Sequence, residues 1–184
     1  MALNPKLLED NYLLIENFIE KETALSLYKE FNKFCSGLLY NMPGDSQAPN
    51  SPFIYNYLPF LEILVDKIPT IKEQCHETVF PTYCYGRVYQ KQEELKIHTD
   101  REACEISASL HLWGDKAWPF CIKTSQGETR ELWLEPGQAV IYLGCRAEHW
   151  RPKFSGEKYG QVFLHYVRSR GPNSWAVFDK RKRF

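Results

Sequence analysis

The sequence predicts an α+β fold that is mainly β, with N-terminal helices followed by an antiparallel sandwich or barrel. Three observations predict it. After Val79, six short runs alternate in side-chain character, with no helical pattern between them. Before Val79, two stretches carry apolar residues at helical spacing. Aromatic residues make up 15% of the chain, which suits strands and a shaped pocket better than a plain helix bundle. At 184 residues the chain is long enough for one domain with a sizeable core.

The elements follow in chain order. "NYLLIENFI" (11–19) reads as a short strand. "EKETALSLYKEFNKFC" (20–35) reads as an amphipathic helix, with Ala24, Leu27, Tyr28, Phe31, Phe34 and Cys35 on one face. "NMPGDSQAPNSP" (41–52) is a loop by its Pro, Gly, Asn and Asp content. A second helix begins near Pro59, and Pro69 should kink or divide it. The strand runs are "PTYCYGRVYQ", "EISASLHLW", "PFCIKT", "RELWL", "AVIYLG" and "GQVFLHYV", with turns at "SQGE" and "EPGQ". The tail "DKRKRF" is basic and reads as a solvated terminus.

Composition narrows the function classes. Lys plus Arg and Asp plus Glu both total 23, so no net positive charge draws the chain to nucleic acid or an anionic membrane. Six dispersed cysteines with no C-x-x-C pair argue against a structural zinc ribbon. They read as buried free thiols in a reducing compartment. No signal-type apolar segment and no run of membrane-spanning length is visible, so the expected location is cytoplasmic, without membrane contact. Oligomeric state is not readable.

The chemistry concentrates around "LKIHTD". His98 and Asp100 lie two apart, so on a strand both side chains face the same way. A lone H-x-D reads first as a polar turn. Here the pattern is larger. His149 lies about 50 residues further on, after a Pro-Gly turn and an apolar strand, and a basic residue follows within about ten positions. Two imidazoles and one carboxylate on one face of a metal leave other coordination positions open.

On "YGRVYQKQEELKIHTD", "EISASLHLW", "LEPGQAVIYLGCRAEHWR" and "GQVFLHYV", the chain resembles the iron(II)/2-oxoglutarate-dependent oxygenases, most closely their prolyl 4-hydroxylase-like branch. These runs cover roughly 81–167. The resemblance implies a single oxygenase domain over 1–184. Residues 1–80 would be mostly helical support, and 81–184 a double-stranded β-helix (jelly-roll) core with the N-terminal helices on one sheet. It also implies Fe(II) held by His98, Asp100 and His149, with 2-oxoglutarate and O2 as cosubstrates. The reaction implied is radical oxidation, usually hydroxylation of a peptidyl or small-molecule substrate with release of succinate and CO2.

A basic side chain should anchor the far carboxylate of 2-oxoglutarate. The family's spacing points to Lys158, about nine residues beyond His149. Arg151 competes, because two residues beyond His149 a continuing strand points it into the same pocket, and Arg is the better fork for a carboxylate. No Arg stands on the "GQVFLHYV" strand itself, which departs from the family pattern.

Alternation fills in the pocket. Ile106, Ala108, Leu110 and Leu112 should meet the helices, so Glu105, Ser107, Ser109 and His111 should face the interior. Ser109 and His111 are candidates for hydrogen bonds to 2-oxoglutarate. Tyr83, Tyr85, Arg87 and Tyr89 also share a face. Tyr89, about nine residues before His98, takes the family's cosubstrate position, and Arg87 and Tyr85 are candidate substrate contacts. An inward Arg87 needs an anionic partner, which could be substrate, cosubstrate or Glu105. His76 and His165 receive no role. Competing readings are a cupin-like metalloenzyme without 2-oxoglutarate, a non-catalytic ligand-binding barrel, and a zinc hydrolase for which no general base can be named.

Overall fold

The computed structural model describes residues 3–38 and 44–180. Helix α1 (Pro5–Asp10) is capped by Asn4, whose side chain accepts from the Lys6 amide at 3.0 Å. Strand β1 (Tyr12–Ile15) is shorter than the apolar run that announces it. Helix α2 (Lys21–Leu38) buries Ala24, Tyr28, Phe31 and Cys35, as its periodicity requires. Phe34 departs from that expectation: it is 43% exposed and rests beside Tyr57 at the edge of the face.

Strand β2 (Phe53–Tyr55) follows directly on the expected loop 41–52, where the sequence pattern announces no strand. Pro69 does divide the second helical stretch, into α3 (Leu58–Asp66) and α4 (Ile68–Cys75), because a proline is tolerated only in a helix's first turn. The remaining strands are β3 (Val79–Gln90), β4 (Leu95–His98), β5 (Ile106–Gly114), β6 (Phe120–Lys123), β7 (Thr129–Leu132), β8 (Ala139–Tyr142), β9 (His149–Arg151) and β10 (Lys158–Arg168). Short 3₁₀ turns cover Glu102–Cys104 and Ser174–Asp179. Residues 41–43 of the expected loop and 181–184 of the basic tail lie outside the described residues. Asp179 is not simply solvated, since it pairs with Arg101 at 2.6 Å.

The strands form two antiparallel sheets, one of order β1-β8-β5-β10-β3-β2 and one of order β4-β9-β6-β7. The outer face of the larger sheet carries the main core. Ile106, Ala108, Leu110, Leu112, Val162 and Leu164 pack there against Phe31, Phe60 and Leu64 of α2 and α3. Each large apolar side chain buried this way contributes about 1.5–3 kcal/mol. With those alternate positions turned to the helices, the intervening ones must face the smaller sheet. There Tyr142 of β8 meets Phe120 of β6 and His149 of β9, at ring separations of 5.2 and 4.7 Å. The fold is thus mostly β, with a few helices on one sheet and a polar interior between the sheets. Among the described residues no helix is long and apolar enough to cross a membrane. All six cysteines are free; five are buried as expected, but Cys145 is exposed.

Candidate metal and cosubstrate site

The short strands β4 and β9 pair antiparallel, which sets His98 directly opposite His149. Their rings lie 4.3 Å apart. Asp100 follows β4 in a loop pinned by its own amide, which donates to the Gly144 carbonyl at 2.8 Å. Gly144 is required there, because a Cβ would press on the Cys104 carbonyl and come within 2.5 Å of Asp100 Oδ2. The chain thereby brings His98 Nε2 to 3.6 Å and His149 Nε2 to 3.5 Å from Asp100 Oδ1. For metal bonds of about 2.1 Å, ligand atoms stand roughly 3.0–3.5 Å apart. These two distances lie at the wide end of that range or just beyond it, and all three atoms lie within 4.8 Å of one another, so a small closure would bring them around one ion.

Both imidazoles are set for that task. His98 Nδ1 lies 2.8 Å from the Lys96 carbonyl and His149 Nδ1 lies 2.9 Å from the Ala147 carbonyl. A carbonyl only accepts, so each Nδ1 carries the proton and each Nε2 keeps its lone pair. Burial works to raise the Asp100 carboxyl pKa, but the facing imidazoles of His149 and His98 outweigh it and hold the group far below the usual carboxylate range. For His98 burial pulls down, yet Asp100 raises its pKa above the ordinary value. With both rings neutral, as a metal would require, two imidazole nitrogens and one carboxylate suit a divalent ion with open positions.

The triad opens into a cavity of about 340 Å³ that is also lined by Tyr83, Tyr85, Arg87, Tyr89, Arg101, Phe163 and His165. Tyr85, Arg87 and Tyr89 therefore share one wall with the triad, as strand alternation requires. Arg87 is 1% exposed. Within the chain its partner is not Glu105 but Asp45, which also accepts from Tyr85 at 2.9 Å. Glu105 instead pairs with Arg168 at 2.7 Å, because it turns to the end of β10 rather than to β3. Asp45 comes from the loop before β2, which nothing in the β3 pattern announces.

Arg151, Ser109 and His111 form a buried cluster adjoining the cavity, on the side where Arg151 stands opposite Leu95. Arg151 donates to the Trp118 carbonyl at 2.8 Å and to Gln161 Oε1 at 3.1 Å. Gln161 in turn donates to Ser109 at 2.7 Å. The guanidinium lies over Trp118 and Tyr159. His111 stacks on Tyr159 at 4.2 Å, and burial, followed by the Arg151 charge, pushes its pKa down to about 3. Among the described residues no carboxylate pairs with Arg151, Arg151 Nε and His111 Nδ1 have no hydrogen-bond partner, and the buried Tyr159 hydroxyl faces only the Arg151 guanidinium, without a well-formed bond. A buried cation with spare donors around it fits an anion that comes from outside the chain.

Lys158 is not brought to this cluster. It shares the parity of Gly160, Val162 and Leu164, so it faces the helices, and its Nζ lies 3.3 Å from Asn32 of α2. Sequence reasoning missed Asp45, Gln161 and the pair Ser107–His165. Ser107 and His165 both lie on inward positions of their strands, but only the β5–β10 register sets them opposite each other.

No family model matches the sequence, and no curated protein is recognisably similar to it. The fold is shared with solved structures. A prolyl-4-hydroxylase from Pseudomonas putida is 14% identical, with a TM-score of 0.70 over 90% of this chain and 96% of that one. HygX from Streptomyces hygroscopicus, solved with nickel and 2-oxoglutarate bound, is 12% identical, with a TM-score of 0.68 over 92% and 89%. A Trichoplax adhaerens prolyl hydroxylase, in complex with a hypoxia inducible factor peptide, is 11% identical, with a TM-score of 0.68 over 88% and 86%. At these identities the likeness is one of fold, and the fold of this chain is that of the iron(II)/2-oxoglutarate-dependent oxygenases.

Proposed function

We propose that the chain is an iron(II)- and 2-oxoglutarate-dependent dioxygenase that hydroxylates a peptidyl or small-molecule substrate, releasing succinate and CO2. The observation that carries this reading is the convergence of His98 Nε2, His149 Nε2 and Asp100 Oδ1 on an open cavity. The two sheets are read as the halves of a double-stranded β-helix forming one domain over 1–184, with a cytoplasmic location. Bound iron with 2-oxoglutarate would supply oxygen activation. The protein's part is to hold three ligands on one face, leave the opposite positions open and keep the cavity dry. Arg151 would take the far carboxylate of 2-oxoglutarate, with Tyr159 OH, His111, Ser109 and Tyr89 around it. The neighbours support either substrate class, since one holds a peptide and another, HygX, has been solved with hygromycin B.

Titration of the metal and of 2-oxoglutarate under nitrogen tests the reading. His98→Ala should abolish tight iron(II) binding, and His149→Ala should abolish oxygen-dependent succinate formation. Removing the partner of a buried anion costs about 3–5 kcal/mol. Arg151→Ala should therefore weaken 2-oxoglutarate by roughly two to three and a half orders of magnitude. Lys158→Ala should change it by less than about one order. The opposite ranking would move the anchor to Lys158. Iron binding without any 2-oxoglutarate affinity would assign a cupin-like metalloenzyme instead.

A further inference from the structure

Beside the triad lies a second group of metal-ligand residue types, Asp100, Cys104 and His165, with donor atoms within 4.8 Å of one another. Their polar atoms are already engaged within the chain, and Cys104 Sγ lies 3.0 Å from the Tyr83 hydroxyl. The hydroxyl of Ser107 lies 3.2 Å from Asp100 Oδ2, 3.2 Å from the Cys104 carbonyl oxygen and 2.8 Å from His165 Nδ1. Ser107 is wholly buried, and His165 is 6% exposed. What binds these residues together is thus a hydroxyl already in the chain.

Its proton can be assigned. A hydroxyl has one proton, so Ser107 donates in only one direction. The Cys104 carbonyl and the Asp100 carboxylate can only accept, whereas His165 Nδ1 and the Tyr142 hydroxyl, which also faces Ser107, can take either role. A bond to an ionised carboxylate is the stronger use of the proton, and leaving Oδ2 unpaired at this depth is costly. His165 then has to donate from Nδ1–H to Ser107 Oγ, and Ser107 Oγ–H to Asp100 Oδ2. The two donors stand opposite each other in the β5–β10 register, so the chain of bonds runs from the large sheet to the loop that carries the metal ligand.

We propose that Ser107 and His165 are positioning residues that hold Asp100 Oδ2 away from the metal, so that the carboxylate binds through Oδ1 alone. This rests on the metal-site reading above. One oxygen and two nitrogens fill three of six positions. A carboxylate free to turn can bind through both oxygens, and then too few positions remain for a two-point chelate and oxygen together.

The test uses cobalt(II) in place of iron in the full chain, because its absorption spectrum reports coordination number. Ser107→Ala should change the cobalt spectrum and weaken 2-oxoglutarate binding to the cobalt protein by about 10–100-fold, the usual effect of losing an outer partner of a ligand. His165→Phe keeps a ring beside Tyr83 and should shift both readouts in the same direction. His165→Gln keeps a side-chain donor and should stay close to wild type. The double variant Ser107→Ala/His165→Phe should match Ser107→Ala alone, because His165 acts through the serine. Thermal transitions of the metal-free variants separate these effects from lost folding. If Ser107→Ala does not fold, the contrast between His165→Phe and His165→Gln decides. A wild-type spectrum and affinity in Ser107→Ala would overturn the proposal. So would a full, additive effect of His165→Phe in the Ser107→Ala background, or a Gln variant no better than Phe. If wild-type protein binds no cobalt, or His98→Ala binds it equally well, the metal-site reading itself fails. Intact metal binding with additive effects overturns only the positioning role.

Discussion

Arg87 shows how a single buried cation organises one wall of the cavity. Its guanidinium lies over Phe53, Tyr85 and Tyr89, and among the described residues its ion pair is with Asp45. Asp45 also anchors its own loop, with Oδ1 accepting from the Gln47 and Ala48 amides at 2.9 and 3.1 Å. Burial raises the Asp45 carboxyl pKa, but Arg87 outweighs it and the net shift is downward. That stabilisation is present at neutral pH and is lost as pH falls through the depressed native value. Breaking a fully buried pair costs about 3–5 kcal/mol, but the Asp45 side chain is 32% exposed, so about 1–3 kcal/mol is expected for Asp45→Ala. Urea unfolding at pH 7 measures it, and a change within about 0.5 kcal/mol would show that Arg87 is satisfied without its partner. That Arg87 turns inward was legible in the alternation of "YCYGRVYQ". Its partner was not, because a loop residue some 40 positions away leaves no periodic trace.

At the scale of elements, length decided what could be read. Helix α2, the break at Pro69 and strands β3, β5, β8 and β10 were legible, because each repeats its period or carries a proline signal. Strand β2 has three residues and β9 three, too few for alternation to show. Helix α1 has six, although Asn4-Pro5 is a start signal that could have found it. The seating of the helices was invisible too, since it depends on bare backbone. A Cβ at Gly86 of β3 would come within 2.8 Å of Phe31 and closer still to Phe60. Gly86→Ala should therefore destabilise by about 1–3 kcal/mol through overpacking. Gly37→Ala, near the end of α2 with nothing within 4 Å, should be neutral or stabilising by up to about 1 kcal/mol. Paired chemical denaturation of the two variants checks this. Equal behaviour would show that α2 and α3 can move off the sheet at little cost.

The whole molecule places neutral imidazoles between two sheets, and that placement has a pH signature. His111 is buried on β5, with its ring on Tyr159 and the charge of Arg151 nearby. Burial first, and that charge second, push its pKa from 6.5 down to about 3. In the unfolded chain the imidazole protonates near its ordinary value, while in the folded chain it stays neutral. Between those two values the unfolded state binds the extra proton. Stability should therefore be full above about pH 6.5 and fall as pH is lowered, by about 1.4 kcal/mol per pH unit for one such group. Asp45 adds a loss in the same direction at lower pH, through its own depressed pKa. His111→Gln removes the titrating ring while keeping a polar side chain. The variant should flatten the dependence of unfolding free energy on pH between 4.5 and 6.5 by about one proton's slope, measured by urea unfolding at three or four pH values. An unchanged slope would mean that His111 takes its proton equally well in both states, and so that the interior around Arg151 is open to water rather than sealed for a bound anion.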